Sequence, residues 1–351
     1  MSVTDRFFLY LLFFVPLTVW ASLTGAPSLA IFICASAATV ALAKYIGEAT
    51  EELTTYTGPA IGGFLNATLS NAPELIIAGF ALRAGLIDVV KASIVGSILS
   101  NLLLGLGLAI FLGGLRHKRQ KFNATAVKAS GSTLLLGVFA LVVPAILAST
   151  SQNVSPDSIE MISIVVAVLL IVAYVASLLF SLWTHQHLYV RDVADYTPRW
   201  SRFKSIAILV CSTLAIAYVS DILVSSIKPM MQLFGWSQVF IGVIILAIIG
   251  NIGEKVSAIR VALNDNMDLA FQIAIGSANQ IAMFVAPVLV LASIFFLQPL
   301  TLIFGVFELV ALILSVLIVH TVVDDGESNW LEGLLLLVAY IIIAVTFYLY
   351  R

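Results

Sequence analysis

Apolar residues run along this chain in long blocks separated by short polar stretches. Roughly 20 apolar residues suffice to cross a bilayer as a helix. Eleven such blocks can be marked off, at 7–23, 28–51, 59–83, 87–114, 123–149, 158–184, 203–227, 237–262, 267–296, 299–321 and 330–350. Several exceed the minimum length, so tilt or kinking is expected. The pattern predicts an all-α polytopic membrane protein with eleven transmembrane helices and no inserted soluble domain. The first block has one basic residue ahead of it, Arg6, and no clear small-residue cleavage site. It therefore reads as a retained helix rather than a signal peptide.

Charge in the loops orients these spans. Arg116, His117, Lys118, Arg119 and Lys121 follow the fourth span, and Arg191, Arg199, Arg202 and Lys204 follow the sixth. The loop between them, Ser149 to Ser158, has no Lys or Arg. Basic loops stay on the cytoplasmic side. Counting back places the N-terminus inside, and counting forward places Arg351 outside. The expectation is a multi-pass protein of a prokaryotic plasma membrane.

An internal repeat sharpens the picture. Ser70-Asn71-Ala72-Pro73-Glu74 and Gly250-Asn251-Ile252-Gly253-Glu254 coincide on a shift of 180 positions. The same shift, without a gap, overlays Ala78 on Ala258, Asp88 on Asp268, and Gly96-Ser97 on Gly276-Ser277. Without the first span, two five-helix units remain, spans 2–6 and 7–11. An odd number of helices per unit makes the two copies opposite in orientation, an arrangement common in secondary transporters. The predicted organisation is an N-terminal helix (1–25), a first repeat (26–186), a cytoplasmic linker (187–202) and a second, inverted repeat (203–351).

Composition agrees: 61% of residues are hydrophobic and only 10% are charged. The net charge of −2 says little, because most charges lie in loops. Cys34 and Cys211 fall inside apolar blocks and read as packing residues rather than a disulfide framework. No basic domain or motif points to nucleic acid. The spans hold no GxSxG, no HExxH and no paired His–Asp, which argues against an intramembrane enzyme.

A carboxylate in hydrocarbon is costly and marks function by default. Glu74 and Glu254 are two of them, at matching places. Pro73 removes a helical N–H and frees the carbonyl of Leu69, while Gly250 and Gly253 loosen the other segment. Spans four and nine add partners. Ser97 and Asn101 share one helix face, as do Ser277 and Gln280. The glycines of Gly96-Ser97 and Gly276-Ser277 would let helices approach closely. The candidate ligands are thus Glu74, Glu254, Asn71, Asn251, Ser97, Ser277, Asn101 and Gln280, with no His or Cys. Oxygen donors suit a hard cation, and calcium takes six to eight of them in flexible geometry. Two acids close together in low dielectric cannot both stay charged without a cation. Protons and a divalent cation then replace one another, which is antiport chemistry at one alternately exposed site.

Blander readings compete. Intramembrane Asn and Ser often only join helices, at about 0.6 kcal/mol per contact, and Asn66, Thr68 and Ser100 read equally well that way. A buried ion pair is the alternative for the glutamates, but Lys255 points about 100° away from Glu254 on an ideal helix. Asp88 and Asp268 begin spans and read as N-caps. His185 and His187 read as a solvated loop edge. Glu48, Glu51 and Glu52 close span two, where a solvated helix end explains Glu48 and Glu52 equally well, and Asp221 lies inside span seven. Thr50-Glu51 and Ser220-Asp221 look like corresponding positions, so Glu48, Glu51 and Asp221 are candidates for gating at the mouths. The Asn66-Ala67-Thr68 sequence lies inside a span, where glycosylation is not expected.

These residues resemble a known family. Gly62–Leu82 is similar to the first alpha-repeat signature of the calcium/proton exchangers, and Gly250–Val290 to the second. Asp268-Leu269-Ala270 and Phe284-Val285-Ala286-Pro287 are further matches, and Tyr174 through His185 resembles the end of that family's sixth helix. The resemblance implies the sodium/calcium-exchanger-like fold, one helix plus two inverted five-helix repeats. It implies calcium bound between the third and eighth spans, with Glu74 and Glu254 as shared calcium and proton carriers. It implies roles around the pathway for Asn71, Ser97, Asn101, Asn251, Ser277 and Gln280, and no cofactor. Departures stand out. The family usually has Glu-His where this chain has Glu254-Lys255. Ser70 replaces a common glycine and Pro73 a common threonine, and no acidic run follows span six. Rival readings are a sodium/calcium exchanger on the same fold, a manganese or sodium/proton antiporter, or a passive cation channel. Asn71-Ala72 stands where sodium/calcium exchangers usually carry Thr-Ser.

Overall fold

The computed structural model describes residues 3–150, 155–184, 198–296 and 298–349. His185, His187, Arg191, Arg351 and most of the linker at 187–202 lie outside them. The described chain is almost wholly helical. In order the helices are α1 (Val3–Leu11), α2 (Phe14–Leu23), α3 (Ser28–Leu69), α4 (Ala72–Arg83), α5 (Ile87–Leu99), α6 (Leu106–Arg116), α7 (Ala124–Thr150), α8 (Pro156–Leu179) and α9 (Arg202–Phe234). Then come α10 (Gln238–Phe240), α11 (Ala247–Gly250), α12 (Ile252–Leu263), α13 (Met267–Gln280), α14 (Ala286–Ser293), α15 (Val306–Val322) and α16 (Trp330–Leu349). Among the described residues eight helical stretches are long and apolar enough to cross a membrane, or nine when the bent pair Gln238–Gly250 and Ile252–Leu263 counts as one.

Two of the blocks counted from sequence are not among those stretches. Val306–Val322 is shorter, and the block at 59–83 is shared between α3 and α4. α3 carries helical hydrogen bonding through 42 residues. Drawn straight it would reach about 63 Å, twice the roughly 30 Å of hydrocarbon. It is not straight. A Cβ on Gly62 would lie 2.8 Å from Cβ of Thr54, although eight residues span about 12 Å along a straight helix axis. The turn between the blocks ending at 51 and starting at 59 is thus made within helical backbone, between Thr54 and Gly62, rather than by a loop.

The chain packs as two compact units, each drawing segments from both halves of the sequence. One comprises Met1–Gly85, Leu178–Ser237 and Ile249–Gly253; the other comprises Leu86–Ser177, Gln238–Ile248 and Glu254–Arg351.

In the first unit α3 packs along α9, and α2 lies on α3. Two buried charges organise this unit. Lys44 of α3 bonds Glu48 at 2.8 Å and Asp5 of α1 at 3.5 Å, and its ammonium lies over the ring of Phe8. Glu52, fully buried, accepts from the backbone N–H of Arg199 (2.9 Å) and of Trp200 (3.2 Å) and from Nε of Arg199 (3.1 Å). That carboxylate, read from sequence as a solvated helix end, anchors the chain entering α9.

In the second unit α5 and α6 run on through a π-helical segment, Ser100–Gly105, and form its most buried span. Backbones touch at glycines. A side chain on Gly96 would strike the backbone of Val243, and one on Gly242 would lie 2.6 Å from the carbonyl of Val89. Gly114 meets the backbone of Trp330, and Gly333 that of Phe111, which seats α16 on α6. Gly276, expected to act like Gly96, has nothing within 4 Å of a Cβ. Its match in sequence is therefore not a match in packing.

Three loops of this unit gather on one face. Gln120–Lys121 and Glu327–Ser328 form a short antiparallel ladder, reinforced by an Arg119–Glu327 ion pair. Gln120 Nε2 donates to the Ala262 carbonyl (2.8 Å) and to Asp265 Oδ1 (3.0 Å), and the His117 ring contacts the Leu263 carbonyl at 3.0 Å. Lys128 bonds Asp324 in the same region and holds that carboxyl below its ordinary range through hydrogen bonding and charge.

Candidate functional site

The 180-residue shift reappears in the backbone. α3 stops at Leu69 and α4 starts at Ala72; α11 stops at Gly250 and α12 starts at Ile252. The second break bends the span by 57°. Positive φ follows at Gly85 (71°) and at Asp265 (61°). Few residues other than glycine adopt this conformation, and Asp is among those that do. Asp265 is also held there by Gln120. π-helical segments then occupy Ser100–Gly105 and Ile281–Val285. Such segments often mark functional places, because one residue's helical partner is displaced.

The breaks decide where the acids stand. Glu74 and Glu254 each lie in the first turn of a half-helix, α4 and α12. There the unpaired N–H groups and the helix dipole favour negative charge. Just before each, the preceding half-helix ends with carbonyls that lack helical partners. Each break thus offers a carboxylate and backbone oxygens together, the way discontinuous helices serve cations. Pro73 fits this arrangement differently from the kink inferred from sequence. It lies in the first turn of α4, where an N–H has no helical partner anyway.

Within the first unit Glu74 lies over the bare Cα of Gly250. A Cβ there would sit 3.1 Å from Glu74 Oε1 and 3.3 Å from its Cγ. Asn71 occupies the break, fully buried, with Nδ2 3.3 Å from Ser70 Oγ. Asn251, at the matching place, is 1% exposed.

Within the second unit Glu254 sits in a polar network. Ser277 Oγ donates to Glu254 Oε2 in a short hydrogen bond. Asn101 Nδ2 donates to Ser277 Oγ (2.7 Å) and to Glu254 Oε2 (3.4 Å). Lys255 Nζ donates to Asn101 Oδ1 (3.1 Å) and to the Ala247 carbonyl (3.4 Å). Ser97 is buried one turn before Asn101, and its carbonyl accepts from Ser100 Oγ. Gln280 is half-buried at the end of α13; its neighbour Asn279 instead donates to the Ser130 carbonyl at 2.9 Å.

Other expected residues fall elsewhere. Glu48 is paired with Lys44, while Glu51 and Asp221 are exposed. Asp88 and Asp268 sit in first turns but are not the caps. The caps are Leu86 and Asn266, and Asp268 accepts from the backbone N–H of Asn123. Lys255 is the functional candidate that sequence reasoning set aside. The signal was there: a lysine in the middle of an apolar span, whose partner lies on another helix. Lys44 carried the same signal.

Comparison with known proteins bears on this geometry. The family described as sodium/calcium exchanger protein matches residues 27–183 and 204–349. The chain belongs to that family. Among its relatives, the Ca(2+)/H(+) antiporter of Synechocystis sp. is 44% identical, over 99% of this chain and 98% of its own. The Ca(2+)/H(+) antiporter ChaA of Bacillus subtilis is also 44% identical, over 98% of this chain and 99% of its own. The solved structure of native YfkE superposes with a TM-score of 0.87 at 42% identity, covering 97% of this chain and 99% of that one. The family's proteins are transporters, and the chain is a multi-pass membrane protein rather than an enzyme.

Proposed function

We propose that this protein is a secondary active antiporter that exchanges calcium for protons by alternating access, with Glu74 and Glu254 as shared carriers of both ions. The observation that carries this reading is the repeated helix break, each copy presenting a first-turn carboxylate just after the C-terminal end of a half-helix. Full-length relatives named as Ca(2+)/H(+) antiporters support calcium and protons as the exchanged pair. No observation favours sodium in place of protons.

The chemistry follows from charge balance. With calcium bound, both carboxylates are ionised and their charge is offset. Without it, low dielectric disfavours two bare negative charges, and protons bind in its place. Asn71, Asn251, Ser97, Ser277 and Gln280 supply neutral oxygens, and Asn101 orients Glu254. Glu51 and Asp221, both exposed, attract cations at the mouths, and Glu48 answers to Lys44.

The same reading includes eleven spans, the N-terminal helix (1–25), two inverted repeats (26–186 and 203–351) and the linker between them. The ladder between Gln120–Lys121 and Glu327–Ser328 supports it, because two paired loops must be separated by an even number of crossings, and six spans are counted between them. The basic loop at 116–121 puts that face in the cytoplasm of a prokaryote, with the N-terminus inside and the C-terminus outside.

Purified protein in calcium-loaded liposomes, read with a pH-sensitive dye, tests the reading. Calcium efflux is expected to draw protons inward in step, without sodium. Calcium flux without matched proton movement would point to a channel, and a sodium requirement to sodium/calcium exchange. Gly250→Ala is expected to slow exchange about tenfold. The added methyl crowds Glu74 Oε1, and overpacking costs about 1–3 kcal/mol. Unchanged flux from Gly250→Ala protein would show that Glu74 works elsewhere.

A further inference from the structure

We infer that Lys255 is a positioning residue that sets the calcium affinity of the site by occupying Asn101. The inference rests on the antiporter reading and extends it to a residue where this chain departs from its family. Lys255 is 3% exposed and reaches Asn101 Oδ1 at 3.1 Å. An ammonium group has donors only. The amide atom facing it must therefore be the oxygen, and the amide nitrogen must face Ser277 and Glu254, as observed. Asn101 is thus committed as a donor to the carboxylate. Its carbonyl oxygen, a good ligand for a hard cation, is withheld by the lysine.

The slot for this side chain is built. Gly105, in the π-helical segment, gives it room: a Cβ there would lie 3.1 Å from Lys255 Cγ. The Ala247 carbonyl, on the other side of the helix break, takes a second bond from Nζ. The repeat supplies an independent argument. On the 180-residue shift Lys255 corresponds to Leu75, Asn101 to Ile281 and Gly105 to Val285. Lys255 of the second repeat meets Asn101 and Gly105 of the first, and the three positions that correspond to them on the shift are all apolar. A lysine that merely filled space would not need the amide and the glycine to change with it.

Lys255→Met should free the amide oxygen and remove a positive charge from the network. Calcium is expected to bind about tenfold more tightly, equivalent to about 1.4 kcal/mol. KM for calcium should fall by that factor while kcat does not rise, because tighter binding slows release. Lys255→Arg, which keeps donors and charge, should stay near the wild-type KM. In an Asn101→Leu background, Lys255→Met should produce a clearly smaller gain, since the withheld oxygen is gone. An equal gain in both backgrounds, or a Lys255→Met protein with unchanged KM, overturns the inference. Should Lys255→Met not fold, Lys255→Gln replaces it, with monodispersity in detergent checked first. Calcium binding to detergent-solubilised protein, measured by calorimetry with calcium alone, is read in parallel. If the wild type binds calcium but moves no protons, the antiporter reading fails while the binding comparison still decides the role of Lys255.

Discussion

Glu254→Gln protein in liposomes is expected to show no calcium-driven proton movement above background, and Glu74→Gln protein the same. Glutamine preserves shape and still accepts a hydrogen bond from Ser277, so the local fold survives. What it removes is a negative charge that balances the cation and a group that takes up a proton. Removing one partner of a buried charge pair costs about 3–5 kcal/mol, which is a loss of about 150-fold to 5,000-fold in binding. Proton carriage is lost outright, because an amide does not titrate in this range. Stopped-flow dye measurements over a range of calcium concentrations would check both. Robust coupled exchange by either variant would remove that glutamate from the carrier role. The two are expected to differ in one respect. Glu254 is held by Ser277 and Asn101, so Ser277→Ala should weaken Glu254 function severalfold. Glu74 is seated against the bare Gly250, so Gly250→Ala is the substitution that disturbs it.

The second large effect concerns folding. Gly96→Val is expected to yield little monodisperse protein in detergent, whereas Gly276→Ala should behave like the wild type. Gly96 and Gly242 bring α5 against the segment Ile241–Leu246 with backbone on backbone. Small residues allow such contacts between membrane helices, where packing rather than water drives association. Overpacking a core ordinarily costs about 1–3 kcal/mol. Here the added atoms meet main chain rather than a side chain that can turn aside, so the cost should lie at or above the top of that range. Size-exclusion profiles and thermal unfolding of the two variants provide the comparison. Equal stability would mean that the Gly96 contact contributes little.

Much of this was legible in the sequence because it depends on periodicity and on local chemistry. Apolar blocks mark spans, since hydrocarbon excludes free backbone polar groups. Glu74 and Glu254 stand out because an acid in such a block is costly to bury. Asn71-Ala72-Pro73 and Gly250-Asn251 announce broken helices, since proline and glycine weaken a helix wherever it lies. Other features depend on residues far apart in the chain. Glu52 read as a solvated helix end because Arg199 and Trp200, which bury it, lie about 150 positions away. Lys255 read as pointing away from its neighbour, which is true along one helix and irrelevant once Asn101 of another helix receives it. Gly96 and Gly276 looked alike, yet only one is pressed by a neighbouring backbone.

The order of residues alone determined that this chain is a set of membrane helices with an acid just after each of two similar interruptions. Period, hydrophobicity and backbone chemistry act within a turn or two of helix, so they need no knowledge of the fold. The folded arrangement alone decided which hydroxyl and which amide hold Glu254, that a glycine seats Glu74, and that a lysine occupies the amide beside the carboxylate. Those outcomes depend on which helices pack together and at what distance, and contacts between different helices leave no trace in a local pattern.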